Sequence, residues 1–246
     1  MLLRFYSRKG VISLSSNSIE KLRTILKRKA TIFHTGGRRS SDSLEQSWIG
    51  RVTVDLPTEE QPIDVLGNVM APIMQMYLPA LPFVPEAMHS VKLLTVFLSP
   101  DVLDHEDMEG YMCIREYTSV EDLVEKDFGP AFMQIKAFPL FPELKENDYP
   151  VWDGEDFPEE YGDALNQMDE EEPDYFEDIV EEIYAVHKIG GYPSFIQPGI
   201  DFGEGYEFVF QIASDTRAQL NIVDGGSFYF AKHQNEGVWR GYFDFY

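Results

Sequence analysis

Charge along this 246-residue chain is sorted, and that sorting limits what it can fold into more than any other feature. Residues 1–39 hold ten Lys and Arg against the single acid Glu20, whereas residues 143–182 hold eighteen Asp and Glu against the single base Lys145. The whole sequence has 43 acids and 20 bases, a formal net charge of −23. A field of this strength repels itself in the compact state unless counter-charge lies close by. The basic N-terminal segment supplies it from within, or a basic partner supplies it from outside. The same sign disfavours nucleic acid and anionic membrane as partners, because both select basic surfaces. With 43% apolar and 14% aromatic residues the chain has the material for a real core, in one large domain or two small ones.

The lone cysteine, Cys113, excludes an intrachain disulfide and suits a reducing compartment. No stretch approaches the ~20 apolar residues of a membrane span. Residues 1–10 lack a secretory core, and the acid-free start, rich in Ser, Arg and Lys, reads as a plain basic segment before a transit peptide. The expected location is the cytoplasm.

The first element expected is an amphipathic helix opening at Ser18, with Ile19, Leu22, Ile25 and Leu26 on one stripe, ended by Gly36-Gly37. Ser119-Val120-Glu121-Asp122 has the form of a capping box and predicts a second, short helix. Residues 143–172 are broken by Pro150, Gly154, Pro158 and Gly162 into an acidic loop-rich connector. Pro173 to Val186 then predicts the clearest helix, with Phe176, Ile179, Val180, Ile183 and Tyr184 at helical spacing. Strand signals fall at Val69–Leu78, where Pro72 calls for an edge or a bulge, and at Lys92–Leu98. Further on, Phe208–Ile212 alternate, and Leu220–Val223, Asp224-Gly225-Gly226 and Ser227–Ala231 have the form of a hairpin.

Two regions share an order of features. Trp48-Ile49-Gly50-Arg51 precedes Ile73-Met74-Gln75-Met76 and Leu93–Phe97, as Lys188-Ile189-Gly190-Gly191 precedes Val209-Phe210-Gln211-Ile212 and Phe228-Tyr229-Phe230. Each pattern sets a glutamine among apolar strand neighbours, where it requires hydrogen-bond partners if it faces inward. The parallel suggests one duplicated αβ unit. The expected fold class is α+β: two related β-rich halves with flanking helices. Its segments are a basic N-terminus at 1–39, a first half at 40–142, the acidic connector at 143–172 and a second half at 173–246, within one compact unit.

The run His187-Lys188-Ile189-Gly190-Gly191-Tyr192-Pro193-Ser194-Phe195-Ile196-Gln197 resembles the signature of the YwqG-like proteins, a bacterial family of unknown function. Gln211, Ser214, Asp215 and the Asp224-Gly225-Gly226 turn extend the likeness over residues 187–232, and it is faint over 48–100. The resemblance implies a cytoplasmic α+β protein with two related halves and no assigned enzyme chemistry, and for some relatives an immunity role. Physically, Gly190 and Gly191 permit positive φ or close approach, Pro193 stiffens the next turn, and Gln197 and Gln211 bond to backbone. Structural use of Gly190, Gly191, Pro193, Gln197, Gln211, Asp215, Asp224, Gly225 and Gly226 is the expectation.

Catalytic signals are weak. The five histidines form no HExxH pair. Asp101, Asp104, His105, Glu106, Asp107 and Glu109 miss the EF-hand pattern and read as a solvated loop. Cys113 reads as a small buried residue, with pairing to His105 or His187 the reading left beside it. No P-loop, G-x-S-x-G or G-x-G-x-x-G is present. We therefore expect no catalytic residue, no metal and no cofactor. The expected function is binding: an acidic protein that neutralises a basic partner, most concretely an immunity protein for a nuclease-type toxin, whose nucleic-acid groove needs cations. The expected interface is the acidic connector and its aromatics: Trp152, Asp153, Glu155, Asp156, Phe157, Glu159, Glu160, Tyr161, Asp169, Glu170, Glu171, Glu172, Asp174 and Tyr175. The alternative is an enzyme or small-ligand binder with a site between the halves, where Gln75, Gln211, Asp215 and Asp224 are the polar groups. The sequence does not define an oligomeric state.

Overall fold

The computed structural model describes residues 16–37, 43–105, 107–129, 135–151, 175–198 and 200–246. The fold departs from the α+β expectation. Nearly all regular structure belongs to one ten-stranded antiparallel sheet, and among the described residues α1 (Ser16–Leu26) is the only α-helix. From its middle, β1 (Arg28–Thr35) lies beside β8 (Phe138–Asp148). Outward from β1 come β9 (Lys188–Gly190), β10 (Tyr206–Ala213), β11 (Ser227–His233) and β12 (Trp239–Asp244). Outward from β8 come β2 (Ser47–Ile49), β4 (Ala71–Tyr77), β5 (Leu93–Leu98) and β6 (Met112–Tyr117). Each arm is a three-residue strand followed by a three-stranded meander. A separate pair, β3 (Val54–Asp55) with β7 (Val124–Glu125), lies outside this sheet.

The two ends of the sheet curl toward each other. Glu116 of β6 accepts hydrogen bonds from Trp239 Nε1 (2.7 Å) and Lys232 Nζ (2.8 Å). Gly241 lets β12 close on β6, since a Cβ there would stand 2.7 Å from Met112 Sδ. The interior of this nearly closed barrel holds the main core, including Ile73, Leu94, Val96, Ile189, Phe210, Ile212, Phe228 and Phe230.

The expected N-terminal helix forms but ends early, and the other two expected helices do not form as drawn, each for a local reason. The N-terminal helix stops at Leu26, well before Gly36-Gly37, because Ala30, Thr31, Ile32 and Phe33 are all buried in β1 between two strands. β-branched and aromatic residues suit that environment. At 173–186 only one π-helical turn forms, Tyr175–Ile179. Four acids between 177 and 182, with no base to offset them, oppose the dipole at a helix C-terminus. The Ser119 motif makes a turn, with Glu121 N–H on Ser119 Oγ (3.2 Å), and leads into β7. Ser227–Ala231 does form a strand, but its partners are β10 and β12. Residues 220–223 make only an isolated bridge, Leu220 to Asp215. The bulge near Pro72 falls between Pro72 and Met74.

Helix α1 packs outside the sheet. Leu22 and Leu26 meet Tyr149, Tyr175, Ile179 and Val180 in a second small core. Tyr192 ties it down by donating its hydroxyl hydrogen to Leu26 O (2.6 Å).

Candidate functional site

The motif residues expected to be structural are placed as fastenings. Gln211 Nε2 donates to Val186 O (3.0 Å) and Ser194 Oγ (2.7 Å), and its Oε1 accepts Ser194 N–H (3.0 Å). In the other arm Gln75 Oε1 accepts Thr53 N–H (2.9 Å), and its Nε2 faces Gln46 O (3.3 Å) and Leu44 O (3.4 Å). Both glutamines thus hold the segments on either side of the neighbouring three-residue strand. Gly190 and Gly191 have φ of +78° and +69°. At Gly191 a Cβ would overlap the Asp148 carboxylate, and at Gly190 it would stand 2.5 Å from the Phe83 ring. Ile196 N–H and Gln197 N–H both donate to Asp244 Oδ2 (2.7 and 3.0 Å), and Gln197 Nε2 reaches Phe245 O (2.9 Å). Gly226 leaves no room for a Cβ against Asp244 O, Gly225 lies beside the Tyr246 ring, and Asp224 O accepts Tyr246 N–H (3.4 Å). Pro193 lines a groove described below.

Most polar groups nearest to chemistry are engaged by the fold, while His187 Nε2 and Asp148 Oδ1 have no hydrogen-bond partner of ordinary geometry among the described residues. His187 Nδ1 accepts Ala213 N–H (3.1 Å), much as Ser47 Oγ accepts Tyr77 N–H (3.0 Å) in the other arm. That bond places the ring proton on Nε2, 3.4 Å from Asp215 Oδ2, so neither nitrogen offers a lone pair to a substrate or metal. Burial pushes the Asp215 carboxyl up. Hydrogen bonds from His187, Thr35 and the Ala218 N–H outweigh it and hold the group well below the usual range. Lys188 (1% exposed) and Asp148 (0%) form a buried ion pair of 2.7 Å. Burial pushes the ammonium down while Asp148 pulls it up, and burial wins. The Cys113 thiol is raised by burial, opposite to what a nucleophile needs. Among the described residues, no three His, Cys, Asp or Glu side chains are grouped to hold a metal ion.

Of the expected interface, residues 152–174 lie outside the described residues. Tyr175 is buried and donates its hydroxyl hydrogen to Pro150 O (2.7 Å), so it anchors the fold and is not offered to a partner.

A different surface stands out. Residues 62–70 form a small hairpin with an Ile63–Val69 bridge, closed by Asp64 N–H to Asn68 O (2.9 Å) and Met70 N–H to Pro62 O (2.8 Å). Its tip carries four large apolar residues in solvent: Ile63 (62% exposed), Val65 (66%), Leu66 (64%) and Val69 (58%). Asp64 stiffens it from inside, accepting Leu66 N–H (2.9 Å), Asn68 N–H (2.8 Å) and the Ser99 hydroxyl (2.7 Å). Burial pushes this carboxyl up, but the bonds from Ser99, Asn68 and Leu66 prevail and lower it to about 2. The hairpin leans on the acidic loop, through Val65 N–H to Gly110 O (3.2 Å) and Asn68 Nδ2 to Asp101 Oδ2 (3.0 Å).

Between residues 99 and 128 the sequence has ten acids and two bases. Both bases turn inward. Arg115 is paired with buried Asp55 and reaches Glu60 O (2.6 Å), and Lys126 binds Leu56 O (3.2 Å) and Glu59 O. Glu116 is paired with Lys232, and Asp101 is the acid of this stretch that reaches the hairpin. Sequence reasoning passed over this hairpin, although two apolar residues directly before Gly67-Asn68, where a turn is normally polar, were a usable signal.

A groove of about 450 Å³ opens where β9 ends, lined by Arg28, Lys29, Phe83, Tyr192, Pro193, Phe195, Phe202, Tyr206, Glu207 and Phe208 among others. Its walls come from both arms of the sheet.

The profile of one protein family matches residues 75–236, from mid-β4 to the turn before β12. The chain belongs to the family of the domain of unknown function DUF1963. Membership brings a shared domain with no chemistry attached. No curated protein matches the chain. Among the described residues no helix is long and apolar enough to cross a membrane.

Proposed function

We propose that this chain is a binding protein that engages a basic protein partner, with the 62–70 hairpin as the apolar centre of the interface and the surrounding acids as its rim. The carrying observation is the exposure of Ile63, Val65, Leu66 and Val69 on a turn braced by a buried carboxylate. A rigid apolar projection is costly in water and loses little entropy on docking. Acids around it steer a cationic partner and exclude anionic surfaces. In sequence, residues 152–174 hold eleven acids and no base, in keeping with a basic partner. In its most concrete form the partner is a nuclease-type toxin and the chain its immunity protein, in keeping with the YwqG-like resemblance.

The test is affinity purification from host extract at low salt, then titration of the identified partner against the wild-type chain and Val65→Ser/Leu66→Asp. The expected partner is basic, its association slows as salt rises, and the variant binds at least about tenfold more weakly with unchanged thermal stability. A partner that is acidic, or one that binds the variant equally, refutes the proposal.

A second reading, a ligand site between the arms of the sheet, is favoured by the groove at the end of β9. The polar groups first suspected for it are elsewhere: Gln75 and Gln211 are spent on backbone, and Asp215 lines a separate depression with His34, His187 and Arg217.

A further inference from the structure

The groove at the end of β9 is walled by aromatic rings that the fold already holds in place. Phe83 reaches it from the link between β4 and β5, Tyr192 and Phe195 from the turn after β9, Phe202 from the loop before β10, and Tyr206 and Phe208 from β10 itself. Tyr192 is fixed by its hydroxyl, which donates to Leu26 O (2.6 Å). Phe195 meets Tyr229 edge to face, with 4.7 Å between centroids, and tilts on Phe202 at 5.7 Å. Tyr206 carries the Arg240 guanidinium over its ring at 4.2 Å. Phe83 is held at its backbone, where Thr31 Oγ1 accepts the Phe83 N–H (3.0 Å) and donates to Phe83 O (2.7 Å). Phe83, Phe195, Tyr206 and Phe208 nonetheless stay half-buried. They line a space of about 450 Å³, within the ~300–1,000 Å³ of ligand sites.

We propose that this groove binds a small, uncharged molecule built on planar aromatic rings. The inference rests on the second reading above, a ligand site between the arms of the sheet, and supplies its ligand class. Rings have negative faces and positive edges, so aromatic walls favour an aromatic guest beyond the area it buries. Walls that are already fixed lose little freedom on binding. That the guest is uncharged follows from how the charges along the groove are used. Lys29 is paired with Glu146 (2.9 Å), Asp201 Oδ1 accepts Gly203 N–H, Glu207 Oε1 accepts a hydrogen from Gln234 Nε2, and the Arg28 guanidinium lies over the Tyr192 ring at 4.0 Å. A charged guest has to break one of these contacts or lose its hydration without a counter-charge. The groove is separate from the hairpin, and the inference does not depend on a basic protein partner.

The experiment uses the full chain, uniformly 15N-labelled, and two fluorescent probes that share one ring system. N-phenyl-1-naphthylamine is uncharged, and 8-anilinonaphthalene-1-sulfonate adds a single sulfonate to it. The expected result is saturable binding of the uncharged probe with shifts of the Phe83, Gly191, Tyr206 and Phe208 amides, and affinity at least about tenfold lower for the sulfonate. 2-Naphthol should displace the uncharged probe at least about tenfold more effectively than its saturated counterpart, decahydro-2-naphthol. Phe208→Ala should weaken the uncharged probe at least about threefold, while Val65→Ser/Leu66→Asp, on the hairpin, should leave its binding unchanged. Equal binding of the two probes at the same amides overturns the ligand class and leaves the groove as a site. If neither probe moves the groove amides, the ligand-site reading beneath it falls too. Equal displacement by the saturated alcohol overturns the aromatic preference. Loss of binding in the hairpin variant places the probe on the hairpin and overturns the proposal, as does full affinity in a folded Phe208→Ala chain.

Discussion

Removing the charge of Lys188 gives the sharpest test of how this fold is held together. Its ammonium and the Asp148 carboxylate are almost fully sealed, 2.7 Å apart, and Asp148 also carries the Tyr192 N–H that turns the chain out of the sheet. Lys188→Met leaves a carboxylate in the interior with one backbone donor, and its Oδ1 has no hydrogen-bond partner even with the lysine in place. Breaking such a pair from one side costs about 3–5 kcal/mol. Asp148→Asn strands the ammonium instead and belongs in the same range. The double variant Lys188→Met/Asp148→Asn removes both charges, and the amide oxygen at position 148 still accepts the Tyr192 N–H. Its expected stability lies within about 1–2 kcal/mol of the wild type, because neutral replacements of a buried pair are close to neutral overall. Urea unfolding followed by tryptophan fluorescence and far-ultraviolet circular dichroism measures all four corners of the cycle. Single losses that simply add in the double variant, or singles within about 1 kcal/mol of wild type, would show that the pair is not the desolvated clasp described here.

Gln211→Leu should cost about 1–3 kcal/mol for each group stranded, here Ser194 N–H and Val186 O, and Gln75→Leu should behave alike in the other arm; chemical denaturation reads both. Gly191→Ala should destabilise by more than the ~1 kcal/mol of an ordinary glycine replacement, because the new methyl group meets the Asp148 carboxylate at positive φ, and a melting scan decides it. The Asp64 carboxyl is lowered from 3.8 to about 2 in the folded chain. Its stabilising contribution is complete above pH 4 and fades as pH falls toward 2. Amide exchange at Leu66 and Asn68 should accelerate in that window in the wild type and already be fast at neutral pH in Asp64→Ala. The Cys113 thiol, raised by burial, should react with iodoacetamide at pH 7 more slowly than a free thiol does, and fast alkylation would contradict its placement.

Much of the sheet was legible in the chain. The alternating run at 206–213, the apolar run at 93–98 and the glutamines at 75 and 211 are all strand features that the fold uses. What misled was helical spacing. Ile179, Val180 and Tyr184 do turn inward, but as an irregular packed segment with one π-helical turn, since periodicity reports which residues are buried and not the backbone that buries them. β1 was hidden for a related reason: Arg28 and Lys29 continued a basic helical run, and only non-local pairing with residues more than a hundred positions away makes Arg28–Thr35 extended. The candidate surface was missed because its acids were read as a solvated loop. The inward turn of Arg115 and Lys126, which leaves Glu116 with Lys232 as its cation and the other acids of the stretch without those two bases, is a property of tertiary structure alone.

The position of β1 carries a consequence for biosynthesis. This strand is made early, yet the two that flank it are synthesised roughly one hundred and one hundred and sixty residues later. Until then a ribosome-bound nascent chain exposes a sticky, β-prone ribbon with nowhere to go. Topologies of this kind form slowly and recruit chaperones. Production of this protein should therefore respond more to translation speed and chaperone supply than to solubility tags.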